Sequence, residues 1–196
     1  NMIGNCSADV VSSTVPCSTK WMTGTVNSFF IGLTATFIAT TLGTLAALGL
    51  SRPHMPFKGL IMAILISPMI VPLIITAAGM FFFYARINLV YTFTGVILAH
   101  VALATPFVVI TVTATLVGFD MNMVKASQSL GAKPLRTFFK VIMPLILPGV
   151  ISGALFAFIT SFDEVVIVMF MASLDQLTIP KQMWAGIRQE ISPVIL

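Results

Sequence analysis

FTGVILAHVALATPFVVITVTATLV, Phe93 to Val117, holds no Asp, Glu, Lys or Arg. An apolar stretch of roughly 20 residues is what crosses the ~30 Å hydrocarbon core of a bilayer. Lipid satisfies no backbone hydrogen bonds, so the crossing form is a helix. A barrel strand would instead alternate polar and apolar side chains. Outward from this stretch, three more apolar runs occupy about residues 27–50, 60–84 and 141–172. Composition agrees, with 58% hydrophobic and 8% charged residues, against about 25% charged in a soluble domain. The chain reads as an all-α integral membrane protein with four visible spans.

Charge sets the orientation, because Lys and Arg are retained in short cytoplasmic loops. Arg52 and Lys58 lie between the first two runs, and Lys125, Lys133, Arg136 and Lys140 between the last two. Both loops are therefore expected in the cytoplasm, with the two termini outside. The other segments hold Asp9, Asp163, Glu164, Asp175 and Glu190 beside Lys20, Arg86, Lys181 and Arg188. The net charge of +4 follows from this distribution and calls for no nucleic acid. Residues 1–26 read as an external segment without the pattern of a signal sequence. Cys6 and Cys17 lie there, either as a disulfide or as two separate thiols.

The loop at 118–140 is organised. Asn122 to Leu130 has Met123, Ala126 and Leu130 at helical spacing. Gly131 suits the left-handed residue that ends a helix, and Pro134 the first turn of the next. A short helix, a turn and a second helix are expected, with Ala126 and Ser127 small enough for another protein to approach closely.

Here the chain resembles the membrane permeases of binding-protein-dependent ATP-binding-cassette importers. Their signature is Glu-Ala-Ala, three residues, Gly, nine residues, Ile, one residue, Leu-Pro. The chain has Lys125-Ala126-Ser127, then Gln128-Ser129-Leu130, Gly131, nine residues, and Val141-Ile142-Met143-Pro144. Spacing matches at every step, although Lys125 reverses a charge. Ser161-Phe162-Asp163-Glu164, Ile179-Pro180-Lys181 and Ile191-Ser192-Pro193 are most similar to the spermidine/putrescine branch. The resemblance implies a type I importer permease fold of six spans, with residues 27–196 supplying the second to fifth. On that comparison the first span would precede Asn1 and the sixth would follow Leu196.

The same resemblance implies that the helix around Lys125, Ala126, Ser127, Leu130 and Gly131, followed by Pro144, couples the permease to an ATPase. It implies as partners an ATP-binding subunit dimer carrying ATP and Mg, a second homologous permease and an external solute-binding protein, in a bacterial cytoplasmic (inner) membrane. No Gly-x-x-x-x-Gly-Lys-Ser/Thr loop occurs, so ATP chemistry belongs to a partner and the chain needs no cofactor or catalytic residue of its own.

Within the spans, small residues such as Gly32, Thr36, Gly43, Ala46 and Ala47 predict close helix packing. Pro68, Pro72, Pro106 and Pro148 predict kinks. His100 reads as a buried, hydrogen-bonded side chain or a proton relay, and no second His or Cys nearby makes a metal site. Asp163 and Glu164 are expected inside the fourth run, where an isolated charge costs about 2.5 kcal/mol or more. A polycationic solute would compensate them; so would Arg86, Lys181, a partner subunit or a wet helix end. Three other readings stay open on sequence: a secondary transporter or channel subunit, an ATP-driven permease for an amino acid, phosphonate or metal ion, and a membrane assembly subunit with no transport path of its own.

Overall fold

The structure, a computed structural model, describes residues 17–52 and 55–189. The Cys6–Cys17 question, His54 and residues 190–196 lie outside what it describes.

Among the described residues the secondary structure is helical throughout. In order come α1 (Cys17–Leu50), α2 (Lys58–Ile70), α3 (Leu73–Arg86), α4 (Phe93–Val117), α5 (Met121–Ser129), α6 (Pro134–Thr137), α7 (Met143–Phe162), α8 (Val166–Met171) and α9 (Ile179–Gln189). A π-turn at Phe138–Ile142 joins α6 to α7, and a 3₁₀ turn at Leu174–Gln176 precedes α9. Three stretches are long and apolar enough to cross a membrane: Trp21–Leu50, Phe93–Val117 and Pro134–Phe162.

The first helix starts before the apolar run, at Cys17 rather than at residue 27, so part of the expected external segment is helical. The second run is not one straight span. It divides into α2 and α3, bent by 104°. Pro72 is the cause: it restricts Val71 before it to the extended region, where Val71 has φ −72° and ψ 137°, and it offers no N–H to the ladder. Pro68, Pro106 and Pro148 are by contrast carried inside α2, α4 and α7. The fourth run is also redrawn. Its helix begins earlier, at Pro134, and ends at Phe162 instead of continuing to Ala172.

α1, α4 and α7 form the central bundle, with Ala35, Ala39, Ala47, Ala104, Val108, Val112, Ile146 and Ala157 in its core. Small residues let the backbones close. A Cβ placed on Gly43 of α1 would stand 2.7 Å from the Cβ of Val108 on α4, and one on Gly153 of α7 would stand 3.0 Å from the Val108 Cα. Glycine is required there by proximity, as the small-residue reading of α1 expects. A second core, with Ile31, Ala77, Val96, Leu103, Ile167 and Met171, ties α3 and α8 to the N-terminal half of α4.

Polar contacts fasten the segment after α8. Asn27 Nδ2 donates to the carbonyls of Asp175 (2.9 Å) and Leu177 (3.1 Å). Ser28 Oγ accepts from the Ile179 N–H (2.9 Å), and Gln176 Nε2 donates to the Tyr91 carbonyl (2.8 Å). These buried side chains satisfy backbone groups that no helix serves.

Candidate functional site

The loop between α4 and α7 folds as its residues suggest. Asp120 caps α5, its carboxylate accepting from the Asn122 N–H at 2.9 Å. At the other end Gly131 takes φ +76°. The Gly131 N–H reaches the Gln128 carbonyl (2.9 Å) and the Ala132 N–H reaches the Ser127 carbonyl (3.1 Å). This pair of bonds is the Schellman motif, which ends a helix on a left-handed residue and turns the chain sharply. Lys133 is extended and Pro134 opens α6, where its missing N–H costs nothing.

The expected docking residues separate into two groups. Lys125, Ala126 and Gly131 are exposed, and Leu130 is 89% exposed. Ser127 turns the other way. Its hydroxyl donates to the Val124 carbonyl (2.8 Å) and lies 2.9 Å from the hydroxyl of Thr137, which is buried. Ser127 therefore joins α5 to α6 rather than adding to the outer surface. Pro144 is exposed in the first turn of α7.

Asp163 and Glu164 do not sit within a continuous helix. α7 stops at Phe162, Asp163 is its C-cap, and α8 starts at Val166. Glu164 is buried and its Oε1 accepts from the Ile167 N–H at 3.0 Å, supplying the opening turn of α8 with an acceptor. Asp163 is exposed. Both line a depression of about 410 Å³, together with Ile159, Thr160 and Leu73. Leu73 is the first residue of α3, so two interrupted runs, at Pro72 and at Asp163, meet in one place. The last carbonyls of α7 carry partial negative charge and favour a cation, as does the Asp163 carboxylate.

Lys181, a sequence candidate for pairing with these carboxylates, is occupied elsewhere. Its Nζ donates to the carbonyls of Val168 (3.1 Å) and Ala172 (3.4 Å). Burial pushes its ammonium below the usual lysine range. His100 is buried on α4 and its Nδ1 lies 2.8 Å from Ser161 Oγ on α7. It is absent from the lining of the depression, so the structure does not bring it to Asp163. Among the described residues no cluster of His, Cys, Asp and Glu could hold a metal ion.

Sequence reasoning missed the Ser127–Thr137 contact and the capping of α8 by Glu164 and Lys181. A local signal existed elsewhere: Ser173 and Gln176, three apart, form a capping box around the 3₁₀ turn.

At 30% identity the chain is similar to the spermidine/putrescine transport system permease protein PotC of Haemophilus influenzae, over 87% of this chain and 66% of that protein. PotC of Escherichia coli K12 is 30% identical over 82% of this chain and 61% of its own length. The putrescine transport system permease protein PotI of the same organism is 30% identical over 86% and 62%. The chain thus spans less than two thirds of the curated relatives it matches. Residues 21–196 match one family throughout, and the chain belongs to it: the binding-protein-dependent transport system inner membrane components.

Proposed function

We propose that this chain is the solute-conducting permease subunit of an ATP-driven polyamine importer in a bacterial inner membrane. It has no catalytic residues or cofactor; hydrolysis of ATP with Mg occurs on a separate ATP-binding subunit dimer. A second homologous permease and an external solute-binding protein complete the assembly. α5 docks on the ATPase through Lys125, Ala126, Leu130 and Gly131, and closure of the ATPase is carried through α6 into α7. Transport then follows from the difference in binding free energy that ATP and the loaded binding protein supply to the two membrane states.

The observation that carries this reading is the capped α5, which presents Leu130 and Gly131 outward while Ser127 holds the helix to Thr137 at the foot of α7. The polyamine assignment is supported by the similarity to the spermidine/putrescine permease PotC and the putrescine permease PotI and by Asp163 at the C-terminal end of α7. An ammonium group is stabilised beside a carboxylate in a site of reduced dielectric.

Gly131→Val tests the coupling. A β-branched residue at φ +76° is strained by roughly 1–2 kcal/mol and would disturb the docking surface. In cells expressing the whole importer, uptake of labelled putrescine should fall at least tenfold while the chain still inserts. Unchanged uptake, or failure of the wild-type chain to copurify with an ATP-binding subunit, would count against the proposal.

A further inference from the structure

α2 and α3 meet at an elbow whose backbone is left open. The Val71 N–H still reaches the Ser67 carbonyl at 3.1 Å, but Pro72 has no N–H and the chain then turns away. Among the described residues no backbone N–H reaches the carbonyls of Pro68, Met69, Ile70 or Val71. The side chains here are open as well, with Ile70 74%, Met69 51% and Val71 39% exposed. Yet the elbow lies in the middle of the apolar run 60–84, a whole helix away from Lys58 and from Arg86.

Hydrocarbon offers no donor to such carbonyls. Non-helical backbone at membrane depth persists only where protein covers it or water reaches it. What adjoins the elbow favours water. Leu73, the next residue after Pro72, lines the same depression as Asp163, Glu164 and Thr160, and Asp163 is exposed. This place is sunk below the end of the bundle: His100 stands seven residues into α4, about 10 Å from its start, and meets Ser161, two residues before Asp163. An ionised carboxylate at that depth makes the same demand as the free carbonyls, for water or a hydrated cation.

We propose that the elbow and Asp163 face one water-filled vestibule within the membrane, which the solute enters as a hydrated cation. The elbow is a wall of the solute path, and Pro72 keeps the last carbonyls of α2 open to water. This deepens the permease reading and rests on it, without depending on which cation is carried.

Thiol reaction rates test this in the complete importer, reconstituted in vesicles with Cys6 and Cys17 replaced by Ser and with charged methanethiosulfonate reagents on both sides of the membrane. A thiol reacts as its thiolate, which apolar surroundings suppress. Ile70→Cys and Val71→Cys should each react with a trimethylammonium reagent at least ten times faster than Phe37→Cys, at a position 75% exposed within α1. Adding Asp163→Asn should lower several-fold the preference of either thiol for that cationic reagent over an anionic sulfonate one. The two positions report separately, so one variant that assembles suffices. Rates no faster than that of Phe37→Cys would overturn the proposal in favour of lipid or a covering protein segment. A charge preference that Asp163→Asn leaves unchanged would overturn the shared vestibule. Labelling is read apart from transport, so a wild-type importer that takes up no putrescine counts against the permease reading while the rates still decide the vestibule.

Discussion

Glu164 and Lys181 bind opposite ends of the same helix. Glu164 Oε1 accepts the Ile167 N–H in the first turn of α8, and Lys181 Nζ donates to the carbonyls of Val168 and Ala172 in its last. A carboxylate at the N-terminal end and an ammonium at the C-terminal end each oppose the helix dipole. The arrangement makes a helix of only six residues tenable, since so short a helix has little internal bonding of its own. It also separates two adjacent acids that both line the depression: Glu164 is buried and bonded to the start of α8, and Asp163 is exposed.

Glu164→Ala should therefore lower stability by about 1–2 kcal/mol, the usual loss for a capping acceptor. Glu164→Gln keeps an acceptor oxygen and should lose less than half as much. Thermal unfolding of the detergent-purified protein checks the order; equal losses would show that the Ile167 contact contributes nothing.

Asp163→Asn should leave the thermal midpoint within a degree or so and raise the KM for putrescine uptake about tenfold, the effect of losing roughly 1.4 kcal/mol of charge attraction. Initial uptake rates across a concentration series measure it. An unchanged KM removes Asp163 from the solute path.

Gly43→Ala should destabilise the bundle by about 1–3 kcal/mol through overpacking, because the added Cβ meets Val108. Val108→Ala in the same chain opens the space, so the double variant should recover part of that loss. The two changes are coupled if the sum of the single effects exceeds the double. Strict additivity in thermal unfolding would mean that α1 and α4 do not touch there.

His100→Leu and Ser161→Ala should each cost about 1–3 kcal/mol, since each leaves a buried polar partner behind, whereas the double variant should cost less than their sum. Uptake by the double variant should stay within a factor of two of wild type. A loss of uptake that thermal stability does not explain would point to a proton relay at His100 instead of a structural contact.

Much of the chain was legible without coordinates. The spans at Phe93–Val117 and residues 27–50 follow from length and the absence of charge, because a bilayer imposes one dominant constraint on any backbone within it, while the earlier start of the first helix does not. The end of α5 at Gly131 and the start of α6 at Pro134 follow from glycine and proline chemistry confined to a few neighbouring residues. What hydropathy could not show is where an apolar run is broken. At Val71–Pro72 the helices α2 and α3 are bent by 104°, while Pro106 is carried inside α4 without ending it, and both read as proline in an apolar stretch.

The amino-acid sequence by itself determined an all-helical membrane protein, the family signature around Gly131 and the local form of that loop, each a consequence of solvent, spacing or backbone chemistry within a short window. Only the tertiary structure decided that Ser127 faces Thr137, that Glu164 is a cap while Asp163 is open, and that Lys181 serves α8. Those assignments depend on which elements lie opposite one another. A carboxylate or a hydroxyl is satisfied by whatever donor the fold brings within about 3 Å, and no local pattern names that donor in advance.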